Sequence, residues 1–172
     1  MEPLSKLIIA GENPSSLMNA ARTAVAAILS YLVARLFHLP EAYWAPIATL
    51  IVVQSNLGDA LPISLQRFAG TAIGAAVGAV AAAYFPVSVW AFGLAVFLIE
   101  LFCAILRVER SAYRYASITV AIVMLVPRSI SACLIAVHRF SEVSLGIAVG
   151  LVLSALWPDW PSSRLGQSKT TP

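Results

Sequence analysis

Arg67-Phe68-Ala69-Gly70-Thr71-Ala72-Ile73-Gly74-Ala75-Ala76-Val77-Gly78, running on to Pro86, returns as Arg139-Phe140-Ser141-Glu142-Val143-Ser144-Leu145-Gly146-Ile147-Ala148-Val149-Gly150, running on to Pro158. The offset is 72 residues throughout, and it aligns the arginine, the phenylalanine, two glycines and the closing proline. Residues four apart share one face of an α-helix, and stripes of small residues let helices approach closely in lipid. Gly70, Gly74 and Gly78, continued by Ala82, and Gly146 and Gly150, continued by Ser154, are therefore read as helix-packing surfaces.

The composition around the repeat decides the solvent. Of 172 residues, 60% are hydrophobic and 11% charged, with 11 Lys and Arg against 8 Asp and Glu, and the mean hydropathy is +0.87. A soluble domain carries about 25% charged residues and needs polar surface to face water, so an ordinary soluble enzyme is excluded. A disordered chain, low in hydrophobicity and high in charge, is excluded too. The net charge of +3 is spread along the chain, with no basic stripe to follow a nucleic-acid backbone. Cys103 and Cys133 have no metal-ligand spacing and read as free thiols. His38 and His138 lie near predicted helix ends without a second ligand at metal spacing, so no metal or cofactor is expected. Phosphate-binding glycine loops, nucleophile elbows and zinc-hydrolase motifs are absent from the sequence, and no enzymatic chemistry is expected. Residues 1–16 show no apolar core with a following small-residue cleavage pattern, so no cleaved signal peptide is expected.

A membrane-spanning helix needs about 20 apolar residues. Cutting the apolar stretches at prolines and charge clusters gives six segments. The first covers about 16–37 and is entered through Asn13-Pro14-Ser15; the others cover about 43–56, 68–85, 87–106 and 113–126, with a sixth that starts between 129 and 140 and ends at Trp157. Long apolar runs without period-two alternation are helices rather than barrel strands. The expected fold is all-α and integral to the membrane, six transmembrane helices over residues 15–158, with a cytoplasmic segment 1–14 before them and a flexible tail 159–172 after. Lys6, Arg22, Arg67, Arg107, Arg110, Arg114, Arg164 and Lys169 fall on one side, Arg35, Arg128 and Arg139 on the other. The positive-inside rule then places both termini in the cytoplasm. Tyr43, Trp44, Tyr84, Trp90, Trp157 and Trp160 fall near segment ends, where amphipathic rings prefer the membrane interface.

The repeat puts three segments in each copy and sets Tyr43, at the head of the second, opposite Tyr115, near the head of the fifth. An odd number of crossings inverts the second copy in the bilayer, the inverted-repeat plan of many secondary transporters.

Tyr43-Trp44-Ala45 with Thr49 and Gln54, then Arg67-x-x-Gly70-Thr71-x-x-Gly74-x-x-x-Gly78, then Arg139 to Gly146 and the closing Trp157-Pro158, together resemble the membrane domain of the fusaric acid resistance and aromatic acid exporter family. That domain in turn resembles the plant aluminium-activated malate transporters. The resemblance covers about residues 15–158. It implies six helices, export of small organic anions such as aromatic carboxylates, and assembly as dimers or larger. Larger members of the family resemble two such membrane halves plus a cytoplasmic domain, so a homodimer is expected to supply the second half. Glu142 and Val143 depart from the pattern, standing where the first copy has Gly70 and Thr71.

Arg67 and Arg139 are each expected at the N-terminal end of a helix, where unpaired N–H groups and the helix dipole favour anions. A guanidinium there offers a two-pronged contact to a carboxylate. Two readings stay open for each arginine: a place on the route of an organic anion, or snorkelling to lipid headgroups. Glu100 lies deep in the fourth segment, within Phe97-Leu98-Ile99-Glu100-Leu101-Phe102, where a carboxylate needs a partner or a proton. It is either the proton-coupling residue or a structural partner of Arg22, Arg67 or Arg107. Glu142, three residues beyond Arg139, reads as a local ion pair.

The second and fifth segments are short and carry Pro46, Thr49, Gln54, Ser55 and Asn56 in one and Ser117, Thr119 and Pro127 in the other. Paired interrupted helices point to a midplane binding site. Tyr43, Trp44, Thr49, Gln54 and Thr119 are read as a substrate wall for an aromatic acid, or else as interface anchors and ordinary interhelical hydrogen bonds. The reading is a multi-pass inner-membrane exporter of small organic anions, proton-driven through Glu100 and homodimeric or larger. The lipid bilayer and the organic anion are its expected partners, with a periplasmic adaptor as a candidate. A passive organic-anion channel through Arg67 and Arg139, and a non-transporting membrane scaffold, are the alternatives.

Overall fold

Residues 17–53, 57–85, 88–105, 109–126 and 130–156 are described by the structure, a computed structural model. Among them are six helices and no strand: α1 (Leu17–Leu36), α2 (Trp44–Val53), α3 (Leu57–Tyr84), α4 (Val89–Ile105), α5 (Arg110–Leu125) and α6 (Ala132–Leu156). The expected terminal segments 1–14 and 159–172, the Asn13-Pro14-Ser15 entry and Gln54 lie outside the described residues.

Local sequence explains most of the helix ends. At the end of α1 the chain turns through His38 at φ 54°. His38 N–H donates to the Arg35 carbonyl (3.0 Å) and Leu39 N–H to the Ala34 carbonyl (3.1 Å), the bond pair of a Schellman cap. Pro40 follows, a residue common just past such a cap. Pro46 falls in the first turn of α2, where the N–H it lacks would have no helical acceptor. Ser88 and Ser131 cap α4 and α6, with Oγ accepting from Trp90 N–H (3.3 Å) and Leu134 N–H (3.4 Å). α5 stops at Val126, extended at φ −68° and ψ 127°, the conformation favoured before a proline, here Pro127.

α3 starts earlier than the apolar count suggests, and α6 starts within its expected range of 129–140. α3 begins at Leu57 and carries Pro62 inside it, and α6 begins at Ala132. Pro62, the sixth residue of α3, lacks the N–H that would bond the Gly58 carbonyl, yet the helix continues through it, so it interrupts the apolar run without ending the helix. Arg67 and Arg139 accordingly lie ten and seven residues inside their helices, not at the N-termini where the sequence expectation put them. The orphan N–H groups of a helix start therefore play no part at either arginine.

The most extensive packing is of α3 on α5, followed by α6 on α3 and on α2. Ala60 of α3 clusters with Val143 and Ile147 of α6, whereas Ala75 clusters with Ala136. α3 and α6 therefore run antiparallel, and Phe68 meets Phe140 between those clusters with ring centroids 5.0 Å apart. The glycine stripes work as the sequence suggests. A Cβ on Gly70 or Gly74 would collide with the carbonyl oxygens of Ala112 or Ala116 on α5, and one on Gly146 with that of Ala45 on α2. Each stripe thus packs on the short helix of the other half of the sequence. Gly93 on α4, by contrast, has nothing within 4 Å of where a Cβ would stand.

The outside of the bundle is apolar. α1 is buried along a single seam, Arg22, Ala26, Ser30 and Ala34, and exposes Ile28, Leu32 and Leu36; α4 is buried along Ala95, Ile99 and Cys103 and exposes Trp90, Leu94, Phe97 and Leu101. The core itself is rich in alanine. So much large apolar side chain on the outside is not a water-facing surface. α3 from Ala60 and α6, each over 25 residues, are long and apolar enough to cross a membrane.

Candidate functional site

Arg139 is the centre of a polar cluster enclosed by the α1–α2 connection, the head of α2 and the first half of α6. Its side chain is only 3% exposed. The guanidinium lies over the Trp44 ring, 4.1 Å from the centroid, an arrangement that offsets part of the cost of burying the cation. Nη2 donates to Glu41 Oε2, and the same oxygen accepts from the Trp44 indole N–H at 3.1 Å. On the other side, Nη1 stands 3.5 Å from Oε2 of Glu142, which is 1% exposed. The expected pair between Arg139 and Glu142 therefore forms, but as the looser of two. The second oxygen of Glu142 accepts the backbone N–H of Glu41 at 3.0 Å, which fastens the α1–α2 connection to α6.

Arg67 repeats half of this arrangement. It is 7% exposed, and its guanidinium carbon lies 4.8 Å from the centroid of the Tyr115 ring. No described carboxylate pairs with it, and its Nε has no hydrogen-bond partner. One turn away Ser111 Oγ donates to Gln66 Oε1, tying the head of α5 to α3.

These contacts correct the alignment of the repeat by one residue. The arginines and glycines keep the offset of 72, but the residue that does for Arg139 what Tyr115 does for Arg67 is Trp44, not Tyr43. Gly74 meets Ala116 and Thr119 where Gly146 meets Ala45 and Ala48, so the two short helices correspond at an offset of 71. Glu41 then corresponds to Ala112, and Glu142 to Gly70. The reason lies in the backbone. α5 starts at Arg110, five residues before the counterpart of Trp44, and its extra turn brings the Ala112 carbonyl against Gly70. Ahead of α2 the chain is not yet helical, which leaves room beside α6 for the Glu142 side chain.

The remaining candidates are scattered. The two arginines follow one another across the Phe68–Phe140 contact, yet they go to rings on different helices and do not share one carboxylate-binding fork. Tyr43 is exposed and leans on Trp44, with ring centroids 5.7 Å apart. Thr49 is fully buried: its Oγ1 lies 2.7 Å from Ser30 Oγ, 2.8 Å from the Gly146 carbonyl and 3.0 Å from the Ala45 carbonyl. It stitches α1, α2 and α6 together. Thr119 donates to Tyr115 O in its own helix (2.8 Å) and packs on Gly74. Glu100 is exposed on the outer face of α4 and is in neither of the ion pairs described above. An apolar groove of about 320 Å³ runs between α3 and α6, lined by Ala72, Ala76, Ala79, Cys133, Val137 and Phe140 among others, and none of the expected substrate residues borders it. Cys103 and Cys133 are both free thiols, and the described residues hold no group of three metal-ligating side chains.

Sequence reading missed Glu41 and Ser30. Glu41 is the sole acid between His38 and the Trp44 helix head, a signal that the corrected offset makes visible through the contrast with Ala112.

Residues 25–153 match the sequence profile of a family described as fusaric acid resistance protein-like. The chain belongs to that family. Among curated proteins it is similar to the inner membrane protein YeeA of Escherichia coli strain K12, 27% identical over 150 residues that cover 83% of this chain and 41% of the relative. The chain thus spans about two-fifths of the length of that relative. No solved structure matches. As a member of the fusaric acid resistance protein-like family it is a membrane protein, and the apolar outer surface described above is the surface such a protein presents to lipid.

Proposed function

We propose that this chain is a multi-pass inner-membrane transporter that exports small organic anions, aromatic carboxylates among them, and acts as a homodimer or larger assembly. Arg67 carries the reading. A guanidinium this buried and matched by no described carboxylate, in a bundle with an apolar exterior, is a place where an organic anion would be held. Arginine over an aromatic ring keeps its planar fork free for a carboxylate. The Tyr115 ring adds an apolar face beside that fork, which suits an aromatic acid.

Six spans arranged as two inverted repeats are part of the proposal. In support, α1 packs on α2 as α4 packs on α5, α3 on α5 as α6 on α2, and α1 on α6 as α4 on α3. With both termini in the cytoplasm, Arg67 and Tyr115 lie toward the cytoplasmic side, where an exporter loads, and the Arg139 cluster lies toward the outside. Proton drive is the proposed energy source, since the sequence holds no nucleotide-binding motif.

The test is uptake by proteoliposomes under an imposed pH gradient, across a panel of aromatic and aliphatic acids. Wild-type protein is expected to concentrate aromatic acids, and Arg67→Gln to lose that ability. Current in planar bilayers without any concentration of the acid would make the protein a channel, and movement of no acid would leave a scaffold.

A further inference from the structure

The Arg139 cluster sets two carboxylates against one guanidinium, and the imbalance falls on a buried group. We infer that Glu142, rather than Glu100, takes up and releases the coupling proton, an inference that rests on the proton-driven transport reading. Glu142 is 1% exposed. Its Oε1 accepts the Glu41 N–H, while Oε2 accepts no hydrogen bond. The single charge of Arg139 cannot neutralise both acids, and its one short bond, from Nη2, goes to Glu41 while Nη1 stands 3.5 Å from Glu142. With both acids ionised the cluster is one negative charge in excess, inside an apolar bundle where an unmatched charge is costly. Glu41 is 34% exposed, in contact with the surface, and takes the hydrogen bond from Arg139. Glu142 has no such contact, and the proton goes there.

Other groups packed around α6 do not supply the missing charge. The charged neighbours of Glu142 are Arg139 on its own helix and Glu41 from the α1–α2 connection. Arg22 on α1 and Arg67 on α3 are buried cations but are not among them, α2 contributes the Trp44 indole to Glu41, and α5 directs Tyr115 to Arg67.

The arrangement also links proton occupancy to movement. Protonated on Oε2, Glu142 still accepts the Glu41 N–H through Oε1, and Arg139 is left with one full partner, Glu41. Deprotonation puts two anions in competition for one cation and loosens Glu41. Glu41 belongs to the segment that joins α1 to α2, so the charge on Glu142 sets how firmly that segment is held against α6. Glu100, exposed on the outer face of α4, holds no segment of the bundle in this way.

The experiment compares wild type, Glu142→Gln, Glu142→Asp and Glu100→Gln, with benzoate as the probe in proteoliposomes and pH-titrated infrared difference spectra of the purified proteins. Glutamine keeps a carbonyl for the Glu41 N–H but cannot titrate. Glu142→Gln is expected to exchange benzoate for benzoate yet lose gradient-driven accumulation, and to lose the titrating carboxylic-acid carbonyl band. Glu142→Asp, shorter but titratable, is expected to keep the band and recover part of the accumulation, which separates a lost proton from a lost fold. Accumulation that survives in Glu142→Gln, or that is lost only in Glu100→Gln, overturns the inference while leaving transport standing. Wild-type protein that moves no benzoate overturns the transport reading, and the infrared titration then decides by itself whether Glu142 binds a proton.

Discussion

Arg67 rests on Tyr115 with Gly70 and Ala112 beside it, whereas Arg139 rests on Trp44 with Glu142 and Glu41 beside it. The cation and ring recur, and the anions do not. In the second half the protein's own carboxylates occupy the guanidinium; in the first half the helix backbone of α5 takes the space that an acidic side chain at residue 70 would need. One geometry repeated with different neighbours thus gives a closed ion cluster on one side of the Phe68–Phe140 contact and, on the other, a cation matched by no described carboxylate.

The glycine stripes are where the halves are most alike, so equal damage is expected from either side. Gly74→Val and Gly146→Val each push a branched side chain into a carbonyl of the partner helix. Overpacking of this kind costs about 1–3 kcal/mol or more, and with backbone as the obstacle both variants are expected to lose the monodisperse peak in size-exclusion chromatography, while Gly93→Ala keeps it. Unequal behaviour of the two would mean that the stripes are not equivalent.

The arginines are where the halves are expected to part. Arg139→Ala strands two carboxylates, and breaking a buried pair from one side costs about 3–5 kcal/mol. Arg67→Ala strands none among the described residues and loses chiefly its contact with Tyr115, about 1 kcal/mol. Thermal unfolding in detergent is expected to show a much larger fall for Arg139→Ala, partly restored when Glu142→Gln is added. Similar falls for the two single variants would erase the distinction between the halves.

A smaller contrast separates the two threonines. Thr49→Val removes a hydroxyl that joins three helices and is expected to cost about 1–2 kcal/mol, the range for a buried hydrogen bond whose partners are left unsatisfied. Thr119 bonds only within α5, so Thr119→Val is expected to lower the same unfolding midpoint by less.

Much of the fold was legible because its signals are periodic. The apolar runs give the helices, and the four-residue glycine spacing gives the packing faces. Pro62 misled the count, since α3 continues through it at the loss of one backbone hydrogen bond. The site was legible only in part. Arg67 and Arg139 stand out as charges in apolar runs, but their partners are set by how α2 and α5 begin, and a one-residue shift between the copies hid both Trp44 as the counterpart of Tyr115 and Glu41 as the partner of Arg139. Glu100 attracted attention by its depth in a segment. Burial depends on which face of α4 meets the bundle, and that face is Ala95, Ile99 and Cys103.

Benzoate affinity of the purified protein tests the division of labour between the arginines most directly. Arg67→Gln is expected to weaken binding by about tenfold or more, the scale of a lost charge-assisted contact, while the double variant Arg139→Gln/Glu142→Gln, which leaves only the partly exposed Glu41 unpaired, weakens it far less. Unchanged affinity in Arg67→Gln, or lost binding in the double variant with Arg67 intact, would contradict the account.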